Sequence, residues 1–170
     1  MPTPIGHALG GLAVGAIIVR NPAVGIRLAG QRLPILVLFA VLGALADVDF
    51  VVFAPHRSAT HSLVAACLVG TLAMLVVPRQ PVIWVASAGA YVSHLLLDWL
   101  GADTATPFGI MALWPFDTAH YQAPWLLFPA VCRQYWLFDC WVSLAGAVGY
   151  EVLVLGPFAL AAVRLSRRRG

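Results

Sequence analysis

Six histidine and aspartate residues stand out because they lie within or beside long apolar segments of the chain. They are His7, Asp47, Asp49, His61, His94 and Asp98. An ionisable side chain in such a segment costs about 2.5 kcal/mol or more inside a membrane and usually marks a functional site. Imidazole and carboxylate groups without cysteine are typical ligands of zinc, manganese or iron in an open catalytic site.

The spacing of these residues supports a shared metal site. His94 and Asp98 are four positions apart, so a helix would place them one turn apart on the same face. Asp47 and Asp49 are two positions apart and would point to different sides of a helix. We therefore expect one of them to bind the ion and the other to contact one of the ligands. Both could bind the ion only if the helix unwinds there.

The predicted metal ligands are His7, Asp47, His61, His94 and Asp98. Each also has a structural alternative, since His94 could hydrogen-bond a neighbouring helix and Asp98 could pair with Arg57. Further candidates in the loops are weaker because a solvated or turn-forming polar residue needs no functional explanation there. These weaker candidates are His56, Asp103, Asp117 and His120.

The composition predicts an integral membrane protein. Of the 170 residues, 61% are hydrophobic and 10% are charged, whereas soluble domains are roughly 45–50% apolar and about 25% charged. We expect one all-α domain over residues 1–170, a polytopic bundle of about five transmembrane helices. The apolar segments are Ile5 to Val19, Pro34 to Phe53, Ser62 to Val77, Val82 to Leu100 and Trp141 to Val163. The first and third are short for a complete crossing.

A long connection, about residues 101–140, precedes the last helix, about 141–163. It is rich in tryptophan, tyrosine, phenylalanine and proline, a composition typical of the membrane interface. We expect it to lie on the membrane surface, partly as short helices. The predicted metal-site portion covers about residues 1–116.

The arginines predict the orientation. With five crossings and a cytoplasmic C-terminus, eight arginines lie inside and two, Arg57 and Arg133, lie outside. This places the candidate site on the external side of the membrane. The arginines are scattered or gathered at loops and the C-terminus, so we expect no nucleic-acid partner.

Three other features of the sequence concern the structure more than the candidate site. Cys132 and Cys140 are near enough in sequence to pair in an oxidising compartment. Glu151 lies mid-helix, where a structural hydrogen bond is preferred over a role as a proton relay. Glycines four residues apart in the first helix predict close helix packing.

The order of these motifs resembles the bacterial YdjM-like inner-membrane proteins. The matching segments are Pro4-Ile5-Gly6-His7, Ala46-Asp47-Val48-Asp49, His56-Arg57-Ser58-Ala59-Thr60-His61-Ser62, Ser93-His94-Leu95-Leu96-Leu97-Asp98 and Leu113-Trp114-Pro115-Phe116. They cover about the first two thirds of the chain. The resemblance implies a metal-dependent hydrolase of the inner membrane.

That family is in turn distantly similar to zinc-dependent phospholipase C and the single-strand nucleases of the P1 type. The resemblance implies that His7, Asp47 or Asp49, His61 and the His94 and Asp98 pair hold zinc. The second H-x-x-x-E pair and the N-terminal tryptophan ligand of those enzymes have no counterpart here. One or two divalent ions are therefore expected, with zinc as the first choice and manganese or iron as alternatives.

These observations predict hydrolysis of a lipid or lipid-linked ester, preferably a phosphoester, by a metal-activated water. Asp49, if uncoordinated, would be the general base. Arg57 would pair with a phosphate oxygen or anchor the chain at the headgroups. A transporter or ion-conducting protein is one alternative, although its ionisable groups would be expected near the midplane. A non-catalytic metal-binding scaffold is another.

Overall fold

The computed structural model describes residues 1–19, 25–28, 31–49, 57–76 and 80–169. Its helices are α1 (Pro4–Ile18), α2 (Ile35–Ala44), α3 (Leu63–Val76), α4 (Pro81–Trp99) and α5 (Phe138–Arg169). The fold also contains two 3-10 turns, Leu45–Val48 and Ala59–His61. A two-stranded antiparallel hairpin is formed by β1 (Gly25–Leu28) and β2 (Gln31–Pro34). The fold is predominantly helical, as predicted, and the hairpin is an addition to the prediction.

Only two helices in the described part of the chain, α4 and α5, are long and apolar enough to cross a membrane. The other three are shorter apolar helices. Helix α1, with 15 residues, extends about 23 Å, less than the roughly 30 Å of a hydrocarbon core. Helix length thus supports two crossings, and five crossings remain a proposal.

Helix α1 lies at the centre of the fold and packs against α2, α4 and α5. Thr3 caps its N-terminus by accepting a hydrogen bond from the Gly6 amide, and Pro4 occupies the first helical position, where no amide donor is needed. The predicted glycine contacts are confirmed, since Gly10 faces α4 and Gly11 faces α2.

Helices α1 and α2 touch through their backbones where Gly11 faces Gly43. A Cβ atom added to Gly11 would lie 2.7 Å from the Cα of Gly43. A Cβ atom added to Gly43 would lie 2.4 Å from the carbonyl oxygen of His7. Neither position has room for a methyl group, so the close approach requires glycine on both helices. This contact sets the distance between His7 and the 3-10 turn that follows α2.

Helix α4 supplies one wall of the apolar core. Ile83, Ala86 and Ala90 pack against Ile35 and Phe39 of α2. Toward its C-terminal end, Tyr91 and Leu95 pack with Ala46, Ala66 and Ile110 in a second cluster. His94 and Asp98 belong to the same buried face, so the packing of α4 turns both side chains inward.

Glu151 joins α5 to the beginning of α1. Its fully buried carboxylate accepts hydrogen bonds from the Thr3 amide at 2.7 Å, the Thr3 hydroxyl at 2.5 Å and the Gly6 amide at 3.1 Å. Amides in the first turn of a helix lack intrahelical partners and favour a negative charge. These contacts support the structural role predicted for Glu151.

The connection between α4 and α5 contains no helix from residue 101 to residue 137. The expectation of short helices there is wrong. Its four prolines, Pro107, Pro115, Pro124 and Pro129, lack amide donors and interrupt helical hydrogen bonding. Isolated β-bridges, Gly101 with Phe128 and Ile110 with Tyr121, hold the segment instead.

Cys132 and Cys140, whose pairing the sequence left undecided, form a disulfide with a Cα–Cα distance of 5.4 Å. It closes a short loop immediately before and within the first turn of α5. Cys67 on α3 is an exposed free thiol. The disulfide therefore fixes the segment that carries Arg133 and Tyr135.

Candidate metal centre

Four ligand-type side chains from three separate segments meet inside the bundle. His7 comes from α1, Asp47 from the first 3-10 turn, and His94 and Asp98 from α4. One ligand atom of each residue lies within 4.8 Å of those of the other three. The two histidines and Asp98 are buried, whereas the side chain of Asp47 is 21% exposed. This group can hold a metal ion, as the sequence predicts for these four residues.

His61 joins the same group from the second 3-10 turn. Its Nε2 lies 3.1 Å from His94 Nε2 and 3.2 Å from Asp98 Oδ2, and the last two atoms are 3.1 Å apart. Two ligands each about 2.1 Å from one ion are separated by roughly 3.0–3.4 Å in octahedral or tetrahedral geometry. The triangle formed by these three atoms therefore fits one face of a coordination shell.

Several polar atoms of the cluster are buried without a hydrogen-bond partner. Among the described residues, these include both ring nitrogens of His7 and both carboxylate oxygens of Asp98. His7 Nε2 nevertheless lies 3.2 Å from Asp98 Oδ1. Buried polar groups in proteins are nearly always satisfied, because an unsatisfied one is destabilising. A cation bound between His7 Nε2 and the Asp98 oxygens would satisfy those atoms, so the donor set fits a divalent metal.

Gly43 orients the ring of His94. The Nδ1 atom of His94 lies 2.8 Å from the Gly43 carbonyl oxygen. A carbonyl oxygen only accepts, so Nδ1 carries the proton and Nε2 presents its lone pair to the cluster. Metal-binding histidines are commonly held by such a hydrogen bond from the second ring nitrogen.

Asp49 holds His61 in the corresponding way. Its Oδ2 lies 3.2 Å from His61 Nδ1 and accepts hydrogen bonds from the Arg57 amide, at 3.1 Å, and from the Thr60 hydroxyl. Asp47 faces the ligand atoms, whereas Asp49 lies behind His61. The α-helix ends at Ala44 and continues as a 3-10 turn, in which Asp47 is the aspartate on the side of the ligand atoms.

The contacts of His61 determine its protonation in the metal-free site. Burial opposes the charged imidazolium, but hydrogen bonds to Asp49 and Asp98 outweigh that effect and raise the pKa of His61 to about 9. The cluster therefore holds a proton at neutral pH where a metal ion would bind.

Arg57 is engaged within the protein. Its guanidinium lies 2.5 Å from Asp103 Oδ2 through Nη1 and donates through Nη2 to the Ala105 carbonyl at 3.3 Å. Its backbone is in the left-handed region, with φ of 70°, and its amide donates to Asp49. Asp103 thus pairs with Arg57 and accepts from the Gly109 amide at 2.7 Å. The predicted contact of Arg57 with substrate remains a prediction.

The remaining loop candidates lie elsewhere. Asp117 accepts hydrogen bonds from the Tyr121 hydroxyl and the Ala119 amide, an arrangement typical of a turn. His120 belongs to the same connection and is not among the clustered ligands. His56 lies outside the described residues.

A cavity of about 340 Å³ borders the cluster at Asp47. Asp103, Arg133 and Tyr135 contribute polar or charged side chains to its wall. The sequence reasoning missed Arg133 and Tyr135 as cavity residues, because their placement depends on the fold of the long connection. It also missed Gly43, which has no distinguishing signal in an apolar helix. Thr60, which donates a hydrogen bond to Asp49, was also missed, although its position directly before His61 was a signal for it.

The arrangement can bind one cation between buried nitrogen and oxygen ligands, with access from the side of Asp47, which lines the cavity. A family model described as the YdjM inner membrane protein matches residues 1–168. Searches of curated proteins and of solved structures find no match. The similarity to phospholipase C and P1-type nucleases therefore remains a hypothesis based on the ligand pattern. The match over nearly the whole length shows that the chain belongs to the YdjM inner membrane protein family.

Proposed function

We propose that this protein is a membrane-embedded, metal-dependent hydrolase of lipid or lipid-linked phosphoesters. The observation that carries the proposal is the convergence of four ligand-type side chains beside a cavity, joined by His61, with polar atoms of His7 and Asp98 buried without a hydrogen bond. The ligands are His7, Asp47, His61, His94 and Asp98, with zinc as the expected ion. A structural zinc site would instead be closed and usually rich in cysteine.

The position of each residue in the site determines its proposed role. A divalent ion would lower the pKa of a bound water and polarise an ester or phosphoryl oxygen. His94 is oriented by Gly43, and His61 is oriented by Asp49, so both present Nε2 to the ion. Asp49 is thus assigned a positioning role in place of the general-base role expected from sequence.

Asp47 is the carboxylate best placed to accept a proton from an attacking water. Its oxygens lie 3.7 Å and 3.9 Å from the Nε2 atoms of His94 and His7, farther than those of Asp98. It also lines the cavity. A loosely held carboxylate at the boundary between ion and substrate can act as a general base.

The first experiment is elemental analysis of the detergent-purified protein beside His94→Ala and Asp98→Asn. We expect about one divalent ion per chain in the wild type and loss of that ion in both variants. His120→Ala and Asp117→Asn are matched controls, because they remove the same side-chain types outside the cluster. Metal-free wild type, purified without chelators, would overturn the metal site.

Activity is then tested on the metal-loaded protein with phosphoester and carboxylic-ester lipids in mixed micelles. We expect release of the phosphoester product, and its loss in Asp98→Asn. A loaded protein that cleaves neither class would argue for the metal-binding scaffold and against the hydrolase.

We also propose five membrane crossings with a cytoplasmic C-terminus and the metal centre on the periplasmic side. The arginine distribution supports this orientation. The Cys132–Cys140 disulfide supports it independently, because disulfides persist in oxidising compartments. The exposed aromatic residues Phe116, Trp125, Trp136 and Phe138 suit an interfacial position for the connection.

The orientation is tested by reporter fusions to the C-terminus. We expect a cytoplasm-active fluorescent reporter to be functional and a periplasm-active phosphatase to be inactive. The reverse pattern would overturn the proposed topology.

A further inference from the structure

The cavity beside the candidate metal centre is lined by an arginine that has no ion-pair partner among the described residues. Arg133 lines the cavity and forms no hydrogen bond or ion pair with any residue of the described chain. Arg57, by contrast, is held by Asp103. An unpaired arginine in a partly enclosed wall is suited to bind an anion, and its planar guanidinium matches a phosphate group.

The charges around Arg133 are consistent with an anionic ligand. Two carboxylates also line the cavity, Asp47 and Asp103. Asp47 belongs to the metal-ligand cluster, and Asp103 is engaged by Arg57. The Met1 ammonium also lies in the cavity wall, but it donates to the Ala102 carbonyl oxygen. With a divalent ion bound, the metal and Arg133 would therefore add two positive charges beside it to act on a molecule in the cavity.

The disulfide holds Arg133 in this position. Cys132 and Cys140 close the loop that carries Arg133 and Tyr135. The Tyr135 carbonyl accepts a hydrogen bond from the Trp141 indole at 2.8 Å, which fastens the loop to the first turn of α5. Arg133 therefore lies on a covalently closed segment, which lowers the entropy lost when it binds a ligand.

The other walls of the cavity are mainly apolar. They include Pro2, Pro4, Val131 and Leu144. Leu144 belongs to α5, one of the two helices long enough to cross a membrane. A ligand with a charged phosphate end and a hydrocarbon part matches both the cation and these walls better than a free inorganic anion does.

We infer that this cavity is a binding site for anionic amphiphiles, in which Arg133 contacts the phosphate-bearing end beside Asp47. The inference deepens the proposed function by naming the residue that selects the substrate class. It rests on that function only for the claim that the bound molecule is then hydrolysed. Binding itself is separable from metal-dependent chemistry.

Binding is measured with dodecylphosphonic acid, whose carbon–phosphorus bond removes the ester that hydrolysis would cleave. The protein is held in phosphatidylcholine nanodiscs, and affinity is determined for the wild type and Arg133→Gln. We expect about tenfold weaker binding in Arg133→Gln, since a charge-assisted contact is lost. Arg164→Gln on α5 is the matched control and should bind as the wild type does. Equal affinity in Arg133→Gln would overturn the assignment.

Competition distinguishes an amphiphile site from a simple phosphate site. We expect dodecylphosphonic acid to compete at least tenfold better than methylphosphonic acid or inorganic phosphate. Equal potency of all three would overturn the amphiphile assignment. Leu144→Trp, which fills the apolar wall, should weaken dodecylphosphonic acid binding while the metal content is retained. Normal binding to that variant would contradict the proposed position of the alkyl chain.

The same titration in His94→Ala separates this inference from the proposed hydrolase. Arg133-dependent binding in the metal-free variant would support the site even if the protein proved inactive. Arg133-independent binding by a metal-loaded, active enzyme would overturn the site and leave the hydrolase intact. Arg133→Lys should recover part of the affinity, because it restores the charge without the bidentate geometry.

Discussion

His94 donates through Nδ1 to the carbonyl oxygen of Gly43, 2.8 Å away on the neighbouring helix. Gly43 is also the residue that allows α2 to touch α1 at Gly11. One residue therefore sets both the spacing of two helices and the direction in which a ligand nitrogen points. Metal affinity and helix packing are coupled through this position.

Gly43→Ala should weaken metal binding about 10- to 100-fold, the effect typical of losing an orienting contact. The added Cβ would lie 2.4 Å from the His7 carbonyl oxygen, so α1 and α2 must separate, at a cost of about 1–3 kcal/mol. Zinc affinity is measured by competition with a chromophoric chelator, and stability by thermal unfolding in detergent. Gly149→Ala is the control, since its added Cβ meets nothing within 4 Å. Wild-type affinity in Gly43→Ala would refute the coupling.

Asp49→Asn should lower zinc affinity about 10- to 100-fold without abolishing binding. The substitution removes the negative charge beside His61 Nδ1 while keeping the shape of the side chain. Asp98→Asn should have the larger effect, because Asp98 contacts three histidines of the cluster directly. The same chelator competition ranks the two variants, with Asp117→Asn as control. If Asp49→Asn lost more zinc than Asp98→Asn, Asp49 would be the ligand.

Zinc binding should release about one proton per ion at pH 7.5. The pKa of His61 is about 9 in the metal-free site, so its imidazole is protonated at this pH and must lose that proton to bind an ion. Affinity should therefore rise with pH and level off near pH 9. Calorimetric titration of metal-free protein in two buffers of different ionisation enthalpy measures the released protons. Identical heats in the two buffers would show that no proton leaves.

Glu151→Leu should destabilise the protein by about 3 kcal/mol or more, because three donors at the start of α1 lose their buried acceptor. Glu151→Gln retains one carbonyl oxygen and should be less severe. Thermal unfolding of the three proteins in the same detergent gives the order. If Glu151→Leu were as stable as the wild type, the carboxylate would not be a structural anchor, and the proton-relay alternative would gain support.

The helices were accessible from sequence because they are long apolar segments, and the candidate ligands because they are ionisable residues within or beside those segments. The spacing of His94 and Asp98 places them on one helical face whatever the partner helices do. The choice between Asp47 and Asp49 was not accessible, because it depends on where the α-helix gives way to a 3-10 turn. That transition is set by packing around Ala46 as well as by local sequence.

The residues that line the cavity could not be predicted from the sequence. Arg133 is separated from Asp47 by about half of the chain, and the route of the proline-rich connection brings both to one cavity. No periodic pattern describes such a route. The same connection is where the expected short helices are wrong, since its prolines favour turns and bridges.

The order of the ligands along the chain has a consequence for biogenesis. Of the candidate ligands, His7 leaves the ribosome first and Asp98, at the end of α4, leaves it last. An ion cannot be enclosed until four segments have been translated and assembled. Helix α5 emerges later still, and its Glu151 then fastens the start of α1. The complete set of proposed ligands is therefore synthesised before the contact between Glu151 and the start of α1 can form.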